Sequence, residues 1–315
     1  MLGATVVMSF SSCGGKRNHT GSQDRKYTVG ISIAQETGST LAMRRAIDTL
    51  AQAEDVSIIW VSAEQNEAAQ EESIKKFLTE KVQGIIIDPV NPLTAGLLLD
   101  TAASHGIPIA VINALPESGE AAAFIIPDLK KAGENLVRST IQYRRRPGKI
   151  LILISELPDS SEMALVRSML PLLQENSLEY RVYGLSTDSS TARRTMNSIL
   201  FSPSPPSAVI STRVFHGLAA GDLFRLGLVL PRPVLAVYSD EQQAGNALQN
   251  GTIDILADPQ PTVVGTTALS SIVRVIQKLP LETDARPIRR GKNLTPIVPT
   301  RVRFVVSPNI SDQKK

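Results

Sequence analysis

From Tyr27 onward, short apolar runs alternate with longer stretches in which apolar residues recur at helical spacing. Tyr27–Ile33 reads as a buried strand. In 40–53, Leu41, Ala42, Arg45, Ala46, Thr49 and Leu50 gather near one helical face. A strand over 57–61 and a helix over 67–80 follow, the helix acidic early and carrying Lys75 and Lys76 late, as its dipole prefers. Next come a strand at 84–88, a helix at 93–104 closed by Gly106, and a strand at 107–112. The alternation restarts after Asp128, with helices over 130–142, 161–175, 190–200, 217–226 and 242–250. The strands between and after them are 149–154, 180–184, 208–211, 233–237 and 253–257. A helix over 262–279, a Pro-rich connection over 287–299 and a strand over 301–306 complete the pattern. Strand-helix repetition of this kind predicts the α/β class, with parallel sheets covered on both faces and ligands at the carboxyl ends of the strands.

At 315 residues, with 42% apolar and 20% charged, the chain is long enough for two lobes with separate cores. No apolar run reaches the ~18 residues of a spanning helix. The net charge of +3 conceals an uneven spread: residues 27–129 carry 5 Lys/Arg against 14 Asp/Glu, and residues 262–315 carry 10 against 3. Such asymmetry suits docking on a charged partner surface. With 4% aromatic residues and no basic stripe, nucleic acid is not an expected partner.

The chain opens on an apolar stretch, small residues and its one cysteine, Cys13, followed by a polar Gly/Ser/Asn-rich tether to residue 26. This resembles a lipoprotein signal with Cys13 as the lipidated residue, although no Lys or Arg precedes the apolar run; the bland alternative is a chance cysteine in a frayed terminus. A lipid anchor would be the only contact with the membrane, and a single cysteine allows no internal disulfide.

Residues ending strands are the natural cleft candidates. Asn113 ends a very apolar strand where a polar side chain is otherwise unwelcome. Arg213 follows the 208–211 strand, and an unpaired charge there needs a cleft carboxylate or an anionic ligand group. Phe215 is the best stacking ring, and His216 reads as a helix cap or a solvent-facing side chain. Gln35, Glu36, Asp159, Ser160, Ser239, Asp240, Asp258 and Gln260 complete a polar set at strand ends. A phosphate loop, metal-ligand spacing and a nucleophile elbow are all missing from the sequence, so no catalytic residue, metal or cofactor is expected and the chain does not read as an enzyme.

Several segments resemble periplasmic sugar-binding proteins of the ribose-binding type, related to the ligand domains of LacI-type repressors: "YTVGISIAQ", "GIIIDPVNPLTAGLLLDTAASHGIPIAVIN", "IPDLKKAGENL", "GKILILI" and "LAVYSDEQQAGNALQNGTIDILADPQPTVVG". The resemblance covers about residues 26–306. It implies a type I periplasmic binding protein fold, two doubly wound parallel-sheet lobes joined by a three-strand hinge. Residues 27–127 plus 262–285 would form the first lobe, 128–261 plus 286–307 the second, with 1–26 as signal and tether and 308–315 as a tail. A sugar would lie between the lobes, and the family's reading positions fall on Gln35 and Glu36, Asn113 with Ala114, Met163, Arg213, Ser239 with Asp240, and Pro259 with Gln260. The types differ from the ribose binders at most of these positions. The resemblance further implies a monomer outside the cytoplasm that hands a small polar solute to an ABC transporter permease. The alternatives are a partnership with a chemoreceptor or sensor kinase, or a LacI-type regulator. The last is disfavoured because residues 1–26 are too few and too polar for a helix-turn-helix.

Overall fold

The computed structural model describes residues 26–201, 204–290 and 292–311. Cys13 and the tether lie outside them. Two sheets of six strands form two lobes. The first has the order β13-β5-β4-β3-β1-β2, built from β1 (Tyr27–Ile33), β2 (Val56–Ser62), β3 (Gly84–Ile87), β4 (Ile109–Ile112), β5 (Ala123–Pro127) and β13 (Ile297–Thr300). Every pairing in it is parallel. The second has the order β14-β10-β9-β8-β6-β7, from β6 (Ile150–Ser155), β7 (Tyr180–Leu185), β8 (Ala208–Ser211), β9 (Val234–Tyr238), β10 (Ile255–Asp258) and β14 (Arg303–Val306). Only β14 runs antiparallel. A short hairpin pairs β11 (Ile288–Arg290) with β12 (Asn293–Thr295).

The strands are apolar on both faces because both faces are covered. Successive residues of β3 and β4 alternate between two cores, Ile86, Ala110 and Ile112 in one, Ile85, Ile87, Ile109 and Val111 in the other. The first core is closed by α1 (Gly38–Ala53) and α9 (Pro261–Ile276), through Met43, Ile47, Leu269 and Ile272. The other is closed by α2 (Glu67–Thr79) and α3 (Gly96–Ser104), through Phe77 and Leu99. In the second lobe α4 (Leu129–Tyr143) and α5 (Ser160–Glu175) cover one face. The opposite face carries α6 (Ser189–Leu200), α7 (Val214–Arg225) and α8 (Gln242–Gln249). The short α10 (Pro308–Ser311) ends the described chain.

Three connections cross between the sheets, from β5 into α4, from β10 into α9, and from β13 into β14. Residues 297–300, expected with the second lobe, instead pair in parallel with Phe124–Pro127 at the edge of the first sheet. The chain therefore crosses at 301–302, later than the sequence suggested. Strands β5, β11, β12 and β13 were not anticipated, and α7 begins at Val214, which puts Phe215 and His216 in its first turn rather than in a loop.

Candidate functional site

The order of the central strands, 2-1-3-4-5 in one sheet and 7-6-8-9-10 in the other, leaves a crevice at the carboxyl ends of each. The two crevices face each other, and the lobes touch across them. Ser39 Oγ at the start of α1 donates to the Asp240 carbonyl at 2.8 Å, and Ser160 Oγ at the start of α5 donates to the Leu115 carbonyl at 2.6 Å. Between them lies a cavity of about 240 Å³ lined by Asn113 and Pro127 from one side and by Leu129, Asp159, Ser161, Glu162, Leu165, Thr212, Arg213, Tyr238, Asp240 and Pro259 from the other.

Arg213 makes three side-chain hydrogen bonds in it. Its Nη2 donates to Glu162 at 3.1 Å and to Asp159 at 3.2 Å, and its Nε donates to Ser155 Oγ at 3.0 Å. Glu162 is buried and also accepts from the Ser155 amide and the Thr212 hydroxyl. Burial alone would raise the Glu162 carboxyl, but Arg213 and these hydrogen bonds outweigh it and hold it below its usual range. Of the two partners foreseen for Arg213, the structure gives it the cleft carboxylates.

On the facing lobe, Asn113 adopts φ +60° at the end of β4, a left-handed conformation that Asn tolerates better than most residues. Its amide N–H is held by the Ile125 carbonyl, and its side chain bonds Asp88 at the end of β3. Burial raises Asp88 to about 7, and the charge of Asp240 across the cleft adds to the rise. Asp240 is itself raised, by burial first and by Asp258 second. Tyr238 is raised chiefly by burial, so it presents a neutral phenol to the cavity.

The remaining sequence candidates divide. Gln35 bonds Gln65 and Glu36 lies 4.0 Å from Arg44; neither lines the cavity. Ser239 is buried with its Oγ accepting from the Glu241 amide. Ser160 is committed to the lobe-to-lobe bond, whereas its neighbour Ser161 lines the cavity and its Oγ is without a partner among the described residues. Gln260, at φ +56° before α9, donates its side-chain amide to the Arg301 carbonyl and so ties two of the crossing segments together. Asp258 pairs with Arg303 at 2.6 Å. Phe215 is 40% exposed and lies outside the cavity. His216, expected to cap a helix or face water, is 2% exposed, with Nε2 donating to the Ser186 carbonyl. Sequence reasoning missed Asp88, Ser161, Glu162, Thr212 and Tyr238. Among the described residues no group of three or more His, Cys, Asp or Glu side chains could hold a metal, and no helix is long and apolar enough to cross a membrane.

The family model of the periplasmic binding protein domain matches residues 29–280. The chain belongs to the periplasmic binding protein family. That family consists of binding proteins, not enzymes, and its name places them outside the cytoplasm. Among known proteins the chain is similar to the xylitol-binding protein of Mycolicibacterium smegmatis, 25% identical over 158 residues, which are 50% of this chain. The match spans 45% of that relative, less than half its length. Two solved structures share the fold. A sugar-binding protein of a Bacillus halodurans sugar ABC transporter aligns with TM-score 0.75 at 16% identity, over 90% of this chain and 99% of that one. A solute-binding protein of Bacillus halodurans C-125 with bound myo-inositol aligns with TM-score 0.70 at 19% identity, over 94% and 99%. The two-lobed, doubly wound architecture expected from the sequence is the one these structures have.

Proposed function

We propose that this protein is an extracytoplasmic solute-binding protein, anchored through lipidated Cys13, that closes its lobes over a small neutral polyhydroxylated solute and delivers it to an ABC importer. The observation that carries the reading is the cavity of about 240 Å³ at the carboxyl ends of both sheets, with hydrogen-bonding groups from both lobes on its walls. Its volume lies just below the ~300–1,000 Å³ usual for ligand pockets, which suits a solute of sugar or polyol size.

The charge of the walls argues for neutrality. Among the described residues lining the cavity the one cation, Arg213, is already engaged by Asp159 and Glu162, and the carboxyl groups of Asp88 and Asp240 lie in or near it. A sugar acid or sugar phosphate would meet carboxylates with no free cation among the described residues lining the cavity to offset them. Solute hydroxyls, by contrast, can donate to Asp240 and the Asn113 carbonyl oxygen. The relatives named for xylitol and found with myo-inositol fit this chemistry. A ligand that bonds both lobes makes its full set of contacts only when the lobes are closed, and this differential affinity shifts the population toward closure.

The test is a thermal-shift and calorimetric screen of the protein against xylitol, myo-inositol, D-ribose, D-xylose, L-arabinose and D-glucose, with gluconate and glucose 6-phosphate as anionic counterparts. A neutral polyol or sugar at a hundredfold excess over its Kd should stabilise by about 3 kcal/mol. Asn113→Ala and Asp240→Ala should each weaken that ligand at least tenfold. Silence across the neutral panel, or preference for the anions, would overturn the reading.

A further inference from the structure

The cleft does not end at the inner cavity. A second space of about 570 Å³ opens on the second lobe, beyond Arg213, and Leu157, Thr187, Phe215, His216 and Glu241 line it. Arg213 lines both spaces, so the two adjoin at this residue. Two features of this outer chamber are left unused by a solute confined to the inner cavity.

The first is apolar surface. Leu157 is 90% exposed and Phe215 is 40% exposed. Both sit where strands β6 and β8 give way to helices, the edge that faces ligand in a doubly wound sheet. The second is an orphaned acceptor. His216 Nε2 faces the Ser186 carbonyl and must carry the proton, because a carbonyl oxygen only accepts. Nδ1 is then a lone-pair acceptor, buried in a residue 2% exposed and without a partner among the described residues. Burial lowers the His216 pKa, which keeps the ring neutral and Nδ1 an acceptor at physiological pH. The Phe215 and His216 rings lie 5.5 Å apart and tilted at 58°, so an apolar face and an acceptor stand side by side.

We infer that the cleft has two subsites in series and that its solute is a neutral disaccharide or glycoside, with one hydroxylated unit in the inner cavity and a second sugar ring in the outer chamber. This rests on the solute-binding reading above and names its substrate class. A pyranose or furanose ring matches the chamber's chemistry: its C–H face lies on Phe215 and Leu157, and its hydroxyls donate to Glu241, with the His216 Nδ1 acceptor buried behind the wall. An anionic second unit is disfavoured by Glu241, whose carboxylate lines the same space.

Calorimetry on the intact protein tests this with matched probes: D-glucose against maltose, cellobiose and trehalose, and D-xylose against xylobiose. At least one disaccharide should bind tenfold or more tightly than its monosaccharide. In Phe215→Ala, and independently in Leu157→Ser, that preference should shrink to within about threefold; Leu157 is so exposed that its replacement leaves the fold intact. Disaccharides no tighter than monosaccharides, or a preference that survives both substitutions, would overturn the second subsite while leaving solute binding standing. If no sugar of either size binds, the solute-binding reading fails and the second subsite fails with it.

Discussion

The residues that build the cleft are positioned mostly by strand ends, and this is why some were visible in the sequence and others were not. Asn113 was found because it ends the apolar run "IAVI". Asp88 ends "GIII" in the same way and Tyr238 ends "VLAV", so the same argument extended to every strand would have found both. Glu162 and Ser161 gave no such signal, since a polar residue in the first turn of a helix ordinarily faces water, and only the fold turns these two inward. Arg213 was legible as a charge needing a partner, but which partner was not. Its pairing makes a prediction about stability. Arg213→Ala leaves Glu162 buried with the Thr212 and Ser155 hydrogen bonds but no counter-charge. Hydrogen bonds to charged groups are worth about 1.5–3 kcal/mol, and the half-exposed guanidinium discounts that, so the expected loss is about 1–2 kcal/mol by urea denaturation at pH 7. Arg213→Ala combined with Glu162→Gln should recover much of the loss, because the uncompensated charge is gone; a double variant as unstable as the sum of the two single variants would argue against the pairing.

At the scale of elements, the helices that cover the sheets were legible from their apolar periodicity, but the face of α1 was misplaced: Met43, Ile47 and Ala51 are buried, while Leu41, Arg45 and Thr49 are exposed. The missed strands have physical reasons. β5 follows β4 after ten residues that contain no helix, whereas parallel neighbours usually need a helical crossover, so the alternation pattern passed over it. β13 contains Pro299, which removes a ladder donor and argues against a central strand; it is in fact an edge strand, where proline is tolerated. How closely the helices pack is also testable. A Cβ at Gly133 in α4 would stand 1.8 Å from Ser168 Oγ and 2.7 Å from the Leu165 carbonyl of α5. The serine can rotate, but the carbonyl is backbone. Gly133→Ala should therefore destabilise by about 1–2 kcal/mol, the overpacking cost less the gain in helix propensity. Gly245→Ala, in α8 with nothing within 4 Å of the new Cβ, should instead stabilise by up to about 1 kcal/mol. A Gly133→Ala variant that melts above the wild type would mean that α4 and α5 are not in such close contact.

For the whole molecule, the acidic groups that meet across the cleft predict that lobe closure depends on pH. Asp88 belongs to the first lobe, Asp240 and Asp258 to the second, and the groups facing Asp88 are the Asn113 amide and the Asp240 carboxylate. In the closed arrangement Asp88 is raised to about 7 from 3.8, by burial and then by Asp240. Opening returns water to the cleft and lets the carboxyl fall toward its ordinary value. The closed form thus binds more protons than the open one between about pH 4 and 7, so closure is favoured at the acid end of that window and loses the advantage as pH rises through 7. Ser39 and Ser160, which bond across the lobes through hydroxyls and carbonyls, do not titrate and set the pH-independent part. Small-angle scattering should show a smaller radius of gyration at pH 5.5 than at pH 8 in the unliganded protein, and polyol affinity should rise in parallel. Asp88→Asn, which keeps a polar partner for Asn113 but cannot ionise, should hold the compact form at both pH values. If wild type and variant expand equally between the two, the pH response belongs to other groups and the carboxylates facing each other across the cleft do not control closure.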